Sequence, residues 1–195
     1  DIPIVMKVLS IGSDRKLFEE GSDVRQRIIE YGALFEELHI IVFSKKGFEK
    51  KQIAPNVWMY PTDSRSKLFY VFDAIRIGKL IMYNAKFKHS DSVISTQDPF
   101  EAGLAGWLLK RATKIPLQLQ IHTDFLSPYF ARESLLNRLR VCIAKRLIPR
   151  AEGIRVVSKR IQNSITNTLK ISQSKITLLP IRVAPELYAP ESNSD

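Results

Sequence analysis

The residue best placed for chemistry in this sequence is His122. It closes the run Leu117-Gln118-Leu119-Gln120-Ile121-His122 and precedes Thr123, Asp124 and Phe125. A histidine beside an aspartate at the end of a strand can orient or deprotonate a hydroxyl. The plainer alternative is a capping histidine bonded to backbone. Two further segments could hold an anion. Gly21-Ser22 stands just before a helix and can offer backbone N–H groups to a phosphate. Ser158-Lys159-Arg160 opens a helix after a strand and can do the same. Ordinary N-capping explains either segment equally well.

Several chemistries lack their residues. Gly-x-Gly-x-x-Gly does not follow the first strand, and Gly-x-x-x-x-Gly-Lys-Ser/Thr is absent. An NAD enzyme and a P-loop nucleotidase are therefore disfavoured. Gly103-x-x-Gly106 falls inside a helix, where it reads as close packing. No metal site is expected, because His39, His89 and His122 are far apart and lack partners at ligand spacing. Cys142 falls mid-helix on a face read as buried, which argues against a cysteine nucleophile. A dinucleotide-dependent sugar-nucleotide epimerase needs Tyr-x-x-x-Lys. Tyr83 and Tyr129 are not followed by lysine at that offset.

The elements that must position these residues alternate strand and helix. Val5 to Gly12 reads as a buried strand. After a polar loop from Ser13 to Ser22, a helix is expected with apolar positions Val24, Ile28, Tyr31, Leu34, Phe35 and Leu38. Ile40–Ser44 and Val57–Tyr60 read as strands two and three. A long helix follows from about Ser66 to Lys86, with an apolar stripe of Leu68, Phe72, Ile75, Leu80 and Tyr83. Ser92–Thr96 is the fourth strand. Asp98 then caps a helix with Pro99 at its first position. Leu117–His122 is the fifth strand, followed by a loop to Arg132 and a helix from Ser134 to about Ile148. Gly153–Ser158 is the sixth strand, Lys159–Leu169 a short helix, and Lys175–Pro180 the seventh strand. About seven such strands imply an α/β, Rossmann-like, open and mostly parallel sheet with helices on both faces. Ligands of such sheets sit at the C-terminal strand ends. That directs attention to Ser13–Ser22, Ser44, Thr62, Thr96–Asp98, His122–Asp124 and Ser158–Arg160.

Composition sets outer bounds. The chain has 195 residues, 45% hydrophobic and 26% charged, enough for one sizeable core. A single cysteine excludes an intrachain disulfide and fits a reducing compartment, the cytoplasm. The formal charge is +10. Alone it leaves nucleic acid, anionic membrane and phosphorylated substrates equally open. Its distribution is uneven, with six Lys/Arg and one acid from Arg65 to Ser90, and nine Lys/Arg and two acids from Lys110 to Arg150. Arg138, Lys145 and Arg146 share part of one helix surface beside Leu135, Leu139 and Cys142. Basic amphipathic helices bind anionic lipid; a solvated face is the alternative.

Taken in order, these pieces form one pattern. The opening runs through Gly21-Ser22-Asp23-Val24-Arg25-Gln26-Arg27, Glu30-Tyr31-Gly32-Ala33-Leu34 and Glu37-Leu38-His39-Ile40-Ile41-Val42. Ile121-His122-Thr123-Asp124 and Ile154-Arg155-Val156-Val157-Ser158 follow, and then Pro180-Ile181-Arg182-Val183-Ala184-Pro185-Glu186-Leu187-Tyr188-Ala189-Pro190. The chain resembles the N-terminal domain of the group 1, family 4-type retaining glycosyltransferases with the GT-B architecture. It departs from that pattern where Ser22 replaces the second loop glycine and Ala184 the crossover aspartate. The resemblance implies that 1–183 is the acceptor-side domain and 184–195 a crossover linker or terminus, with the C-terminal donor-binding domain missing from this sequence. It also implies transfer from a nucleotide-sugar donor to a carbohydrate or lipid-linked acceptor, with retention of configuration and no obligatory cofactor. His122 would be the catalytic residue near the transferred sugar, and Gly21 and Ser22 would approach the donor phosphates. Asp98, Thr123, Asp124, Ser158 and Arg160 would contact the acceptor. Arg138, Lys145 and Arg146 would face the inner surface of the cell membrane, and the isolated chain would be inactive. The alternative reading is a non-enzymatic Rossmann-like module binding nucleic acid or a phosphorylated ligand. Nucleic acid is the weaker partner, because no RRM, KH or zinc pattern is present.

Overall fold

A computed structural model describes residues 4–180. Eight strands form one sheet: β1 (Ile4–Gly12), β2 (Phe35–Val42), β3 (Lys51–Ala54), β4 (Val57–Pro61), β5 (Ser92–Thr96), β6 (Leu117–Ile121), β7 (Gly153–Val156) and β8 (Ile176–Leu178). Their spatial order is β3-β4-β2-β1-β5-β6-β7-β8. Every neighbouring pair is parallel except β3 with β4. The helices are α1 (Asp23–Gly32), α2 (Tyr70–Asn84), α3 (Glu101–Thr113), α4 (Pro128–Arg132), α5 (Leu135–Leu147) and α6 (Lys159–Leu169). The α/β, Rossmann-like expectation holds, with one strand more than expected.

The extra strand is β3. Lys51 and Gln52 gave it no apolar signature, and it needs none, because it pairs only with β4 at the sheet edge. Three other elements differ from the sequence reading. The first helix ends at Gly32, so Leu34, Phe35 and Leu38 are not helical. Asn56 Nδ2 donates to the carbonyls of Gly32 and Phe35, both at 2.8 Å, and pins the turn into β2. The apolar spacing of Val24 to Leu38 joined a helix and a strand into one false period. Pro99 lies before α3 rather than in it. The N-cap position falls on Phe100 rather than Asp98, and Asp98 reaches the helix start from upstream, accepting at Oδ1 from the N–H groups of Phe100 (2.7 Å) and Ala102 (3.2 Å). The loop before α5 contains the short helix α4, opened by Pro128. The crossover segment from Ile181 to Pro190 lies outside the described residues.

Alternation along the strands divides the core in two. Leu9, Ile11, Ile41, Ile94, Leu117, Leu119, Ile121, Ile154 and Val156 face α2, α3, α5 and α6. Val8, Leu38, Ile40, Val42, Val57 and Met59 face the other way, against Val24 and Ile28 of α1. Helices thus lie on both faces, unevenly. On the α1 side of β5 to β7, Val93 packs with this second cluster, but Ser95, Gln118, Gln120 and Arg155 take the following positions with polar side chains. α3 sits tightly on the sheet because of its glycines. A Cβ on Gly106 would lie 2.6 Å from Thr96 Cγ2 and 2.9 Å from Leu117 Cδ1. Close packing is therefore the role of Gly103 and Gly106.

Most of the stripe expected to bury α2 is its solvent face; of its five residues, Ile75 alone packs against the core. Leu68, Phe72, Leu80 and Tyr83 are exposed, whereas Tyr70, Ala74, Gly78, Ile81 and Met82 are buried. Gly78 helps set this face: a Cβ there would meet Leu109 Cδ1 at 2.7 Å, so a residue without a side chain is needed where α3 crosses, and Ile81 and Met82 fill the core beside it. Cys142 is likewise exposed, not buried.

Candidate functional site

The sheet has a topological switch between β1 and β5. From β1 the chain goes to β2 and β4 on one side, then returns through α2 to β5 on the other. Open α/β sheets hold ligands beyond the C-terminal ends of the strands at such a point. A pocket there is lined by Gly12, Asp14, Leu17, Val24, Ile28, Ile40, Val42 and Gln97. A Cβ on Gly12 would strike the end of the Gln97 side chain, which would have to swing aside.

The loop after β1 borders this pocket. Asp14 caps its single 3-10 turn by accepting from Lys16 N at 3.1 Å. Gly21 takes φ +77°, the left-handed region that favours glycine. Ser22 then N-caps α1, its Oγ accepting from Arg25 N at 3.2 Å and donating to Lys16 O at 2.6 Å. Gly21 and Ser22 thus stand at a helix N-terminus beside the switch point. The Ser22 hydroxyl is engaged with backbone on both its hydrogen-bonding functions.

The ends of β5, β6 and β7 continue the row. Asp98, after β5, is turned into the protein by its two backbone bonds. Burial raises its pKa above the usual carboxylate range, partly offset by those N–H donors. His122, after β6, is exposed. Burial of part of its surroundings, and then the Arg155 cation, lower its pKa. The imidazole is therefore held toward its neutral form, which can accept a proton. Thr123 is exposed, and its carbonyl accepts from Phe125 N at 2.9 Å, turning the chain sharply. Asp124 Oδ2 accepts from Arg160 Nε at 3.0 Å. Ser158 Oγ accepts from Ile161 N at 3.3 Å and N-caps α6. The pairing of Ile121 with Val156 places these loops side by side. The structure therefore brings His122, Thr123, Asp124, Ser158 and Arg160 together. Gly21 and Ser22 belong to the loop after β1, and the adjacent Glu20 pairs with Lys51 of β3, on the far side of β1 from β6. Arg138, Lys145 and Arg146 are elsewhere, on the outer side of α5.

Beneath His122 runs a polar network that the sequence reading did not single out. Ser95 Oγ donates to Gln118 Oε1 at 3.2 Å, and Gln120 Nε2 donates to Ser95 Oγ at 3.0 Å. Arg155 Nη1 donates to Gln120 Oε1 at 3.3 Å. The signal was present in Leu117-Gln118-Leu119-Gln120, where strict alternation occurs in a strand flanked on both sides by parallel neighbours. Ser44 and Thr62 serve structure instead. Thr62 Oγ1 accepts from Ser44 N and donates to Ser44 O, locking β2 to β4. Among the described residues no group of three His, Cys, Asp or Glu side chains could hold a metal.

A Rossmann-like sheet with polar loops aligned along its C-terminal strand ends is the arrangement of the N-terminal domain of a GT-B glycosyltransferase. The chain belongs to Glycosyltransferase Family 4, whose family model matches residues 33–186. None of the curated proteins matches the sequence. The fold is similar to sucrose-phosphate synthase from Thermosynechococcus elongatus, with a TM-score of 0.71 and 15% identity over 96% of this chain and 51% of that one. It is also similar to UDP-GlcNAc 2-epimerase from Methanocaldococcus jannaschii, with a TM-score of 0.55 and 15% identity over 89% of this chain and 45% of that one. A further UDP-N-acetylglucosamine 2-epimerase matches with a TM-score of 0.53 and 11% identity, covering 89% and 48%. At these identities the likeness is one of fold, shared by transferases and epimerases alike. The chain spans about half the length of the structures it matches. No helix among the described residues is long and apolar enough to cross a membrane.

Proposed function

We propose that this chain is the acceptor-side half of a retaining glycosyltransferase that moves a sugar from a nucleotide-sugar to a carbohydrate or lipid-linked acceptor. The observation that carries the reading is the cluster at the ends of β6 and β7. There a histidine held toward neutrality stands open to solvent beside the Asp124–Arg160 pair. In this reading His122 lies against the acceptor hydroxyl and the transferred sugar. Thr123, Asp124, Ser158 and Arg160 bind acceptor hydroxyls, with Asp98 at the neighbouring strand end. The backbone at Gly21 and Ser22 approaches the donor diphosphate. A second Rossmann-like domain holds the nucleotide and supplies most of the electrostatic support for the leaving diphosphate. Arg138, Lys145 and Arg146 hold the protein at an anionic membrane surface, where a lipid-linked acceptor resides.

The test pairs an assay with a titration. The 195-residue chain is incubated with a panel of nucleotide-sugars and acceptors, and transfer is measured. None is expected, and measurable transfer would overturn the two-domain reading. In parallel, labelled chain is titrated with glycan acceptors and followed by NMR. Shifts concentrated at His122, Thr123, Asp124 and Ser158 support the site, and shifts confined to other surfaces refute it.

A further inference from the structure

We infer that the outward face of α2 is a bilayer-insertion surface, the apolar anchor by which this chain docks on anionic lipid. The inference rests on the membrane reading above and adds to it a different helix and different chemistry.

On the α2 wheel, Phe72, Arg76, Lys79, Leu80 and Tyr83 fall within a sector of about 100°. Leu68 stands one turn upstream. These are large apolar groups in contact with water: Leu68 is 91% exposed, Tyr83 83%, Phe72 66% and Leu80 60%. The opposite face already satisfies the core through Ala74, Gly78, Ile81 and Met82, so packing within this domain leaves the exposed sector unused. A contiguous apolar surface of this kind marks an interaction site.

The charge pattern selects the occupant. Arg76 and Lys79 are interleaved with the apolar side chains, and neither enters an ion pair among the described residues. The only acid of α2, Asp73, accepts from Ser64 Oγ at 2.6 Å. Cations level with large apolar and aromatic groups suit headgroup phosphates above an acyl boundary. Shape agrees. The sector is the outside of a helix, and its neighbour through α3 is the outer face of α5, which carries exposed Leu135 and Leu139 with Arg138, Lys145 and Arg146. α2 and α5 bury their opposite sides toward the same sheet face. Two convex basic and apolar ridges pointing the same way fit a planar surface.

Three forms of the chain are compared by co-sedimentation with vesicles of phosphatidylglycerol in phosphatidylcholine, and with phosphatidylcholine alone. They are the parent, L68S/F72S/L80S/Y83S, and R138E/K145E/R146E. All eliminated side chains are exposed, and matching circular dichroism melts check that each variant folds. The parent should pellet with anionic vesicles, and the α2 variant should bind at least about tenfold more weakly. Unchanged binding by the α2 variant overturns this inference while leaving the membrane reading intact. Failure of the parent to bind overturns both. A loss seen only in the α5 variant assigns binding to α5 and overturns the α2 anchor. Light scattering adds one further outcome: a dimer that dissociates in the α2 variant makes the face a contact between two copies, also overturning the inference. For geometry, an environment-sensitive dye is placed on F72C in a C142S background and, separately, on E30C of α1. A blue shift on anionic vesicles at 72 but not at 30 supports insertion through α2, and equal shifts refute it.

Discussion

Arg160 Nε donates to Asp124 Oδ2 at 3.0 Å and ties the helix after β7 to the loop that carries His122. Arg160 is largely exposed and Asp124 is mostly covered, so the pair is a tether more than a source of stability.

Replacing Asp124 with alanine should therefore change unfolding free energy by less than about 1 kcal/mol, measured by urea denaturation. The same substitution should move the NMR amide signals of residues 122–127 and 158–161, because both loops lose a shared restraint. A large stability loss, or shifts at only one loop, would contradict the tether.

His122 offers a direct electrostatic test. Burial and then Arg155 depress its pKa. In Arg155→Met the charge is gone and the burial remains. The His122 pKa, followed by NMR of its ring carbons, should rise toward the ordinary value of about 6.5 without fully reaching it. The Gln120 amide, which accepts from Arg155 Nη1, should shift in the same spectra. An unmoved His122 titration would show that Arg155 does not tune it.

The residues of this site were legible in the sequence to different degrees, for physical reasons. His122, Asp124 and Ser158 could be found because a parallel α/β sheet displays its strand ends, and each residue falls within three positions of a strand's last residue. The Arg160 partnership could not, because it joins loops 36 residues apart. The β6 network was written as polar alternation, Gln118 and Gln120 between apolar residues, on a strand whose terminal histidine drew the attention. α2 misled for a different reason. Periodicity reports that a helix has two faces, and the larger residues were taken to be inside. The buried face instead centres on Gly78, where α3 comes too close for a side chain beside Leu109, with Ala74, Ile81 and Met82 around it.

The glycines give a graded stability test. Gly106→Ala gains helix propensity of about 1 kcal/mol but forces a methyl against Thr96 Cγ2 and Leu117 Cδ1. Overpacking of this kind costs about 1–3 kcal/mol, so net destabilisation is expected in a thermal melt. Gly12→Ala meets only the end of the Gln97 side chain, which can swing away. It should cost less stability than Gly106→Ala while rearranging the pocket at the switch point. The reverse order of the two melting temperatures would refute this.

The last prediction concerns acid stability and a network far from the strand-end row. His39 is buried, stacked on Trp58 with ring centroids 4.7 Å apart. Its Nε2 lies 2.9 Å from Glu37 Oε2 and its Nδ1 3.0 Å from Tyr60 Oη. Burial lowers the His39 pKa despite the adjacent carboxylate. The neutral ring then donates through Nε2 to Glu37 and accepts at Nδ1 from the tyrosine hydroxyl. Burial, joined by the Glu37 charge, pushes the Tyr60 pKa up to about 12, so it stays protonated for that bond. Burial would raise the Glu37 pKa, but the bonds from His39 and Lys7 outweigh it and hold the carboxyl low. The two groups act in the same direction. As pH falls below about 6.5, the unfolded chain protonates its histidine before the native state does, so stability declines toward the folded pKa of His39. As pH falls further, through about 4.3, the unfolded chain protonates its glutamate first, and stability declines again toward the folded pKa of Glu37. Unfolding free energy should therefore drop in the window from pH 6.5 to 4 and be nearly flat from 7 to 8. In His39→Phe the stacking surface is kept and the titrating group removed. That variant should lose about 1–3 kcal/mol at pH 7.5 by leaving the Tyr60 hydroxyl and part of Glu37 unpaired, and its decline between pH 6.5 and 5 should be shallower than the parent's. An equally steep decline in both proteins would place the acid sensitivity elsewhere.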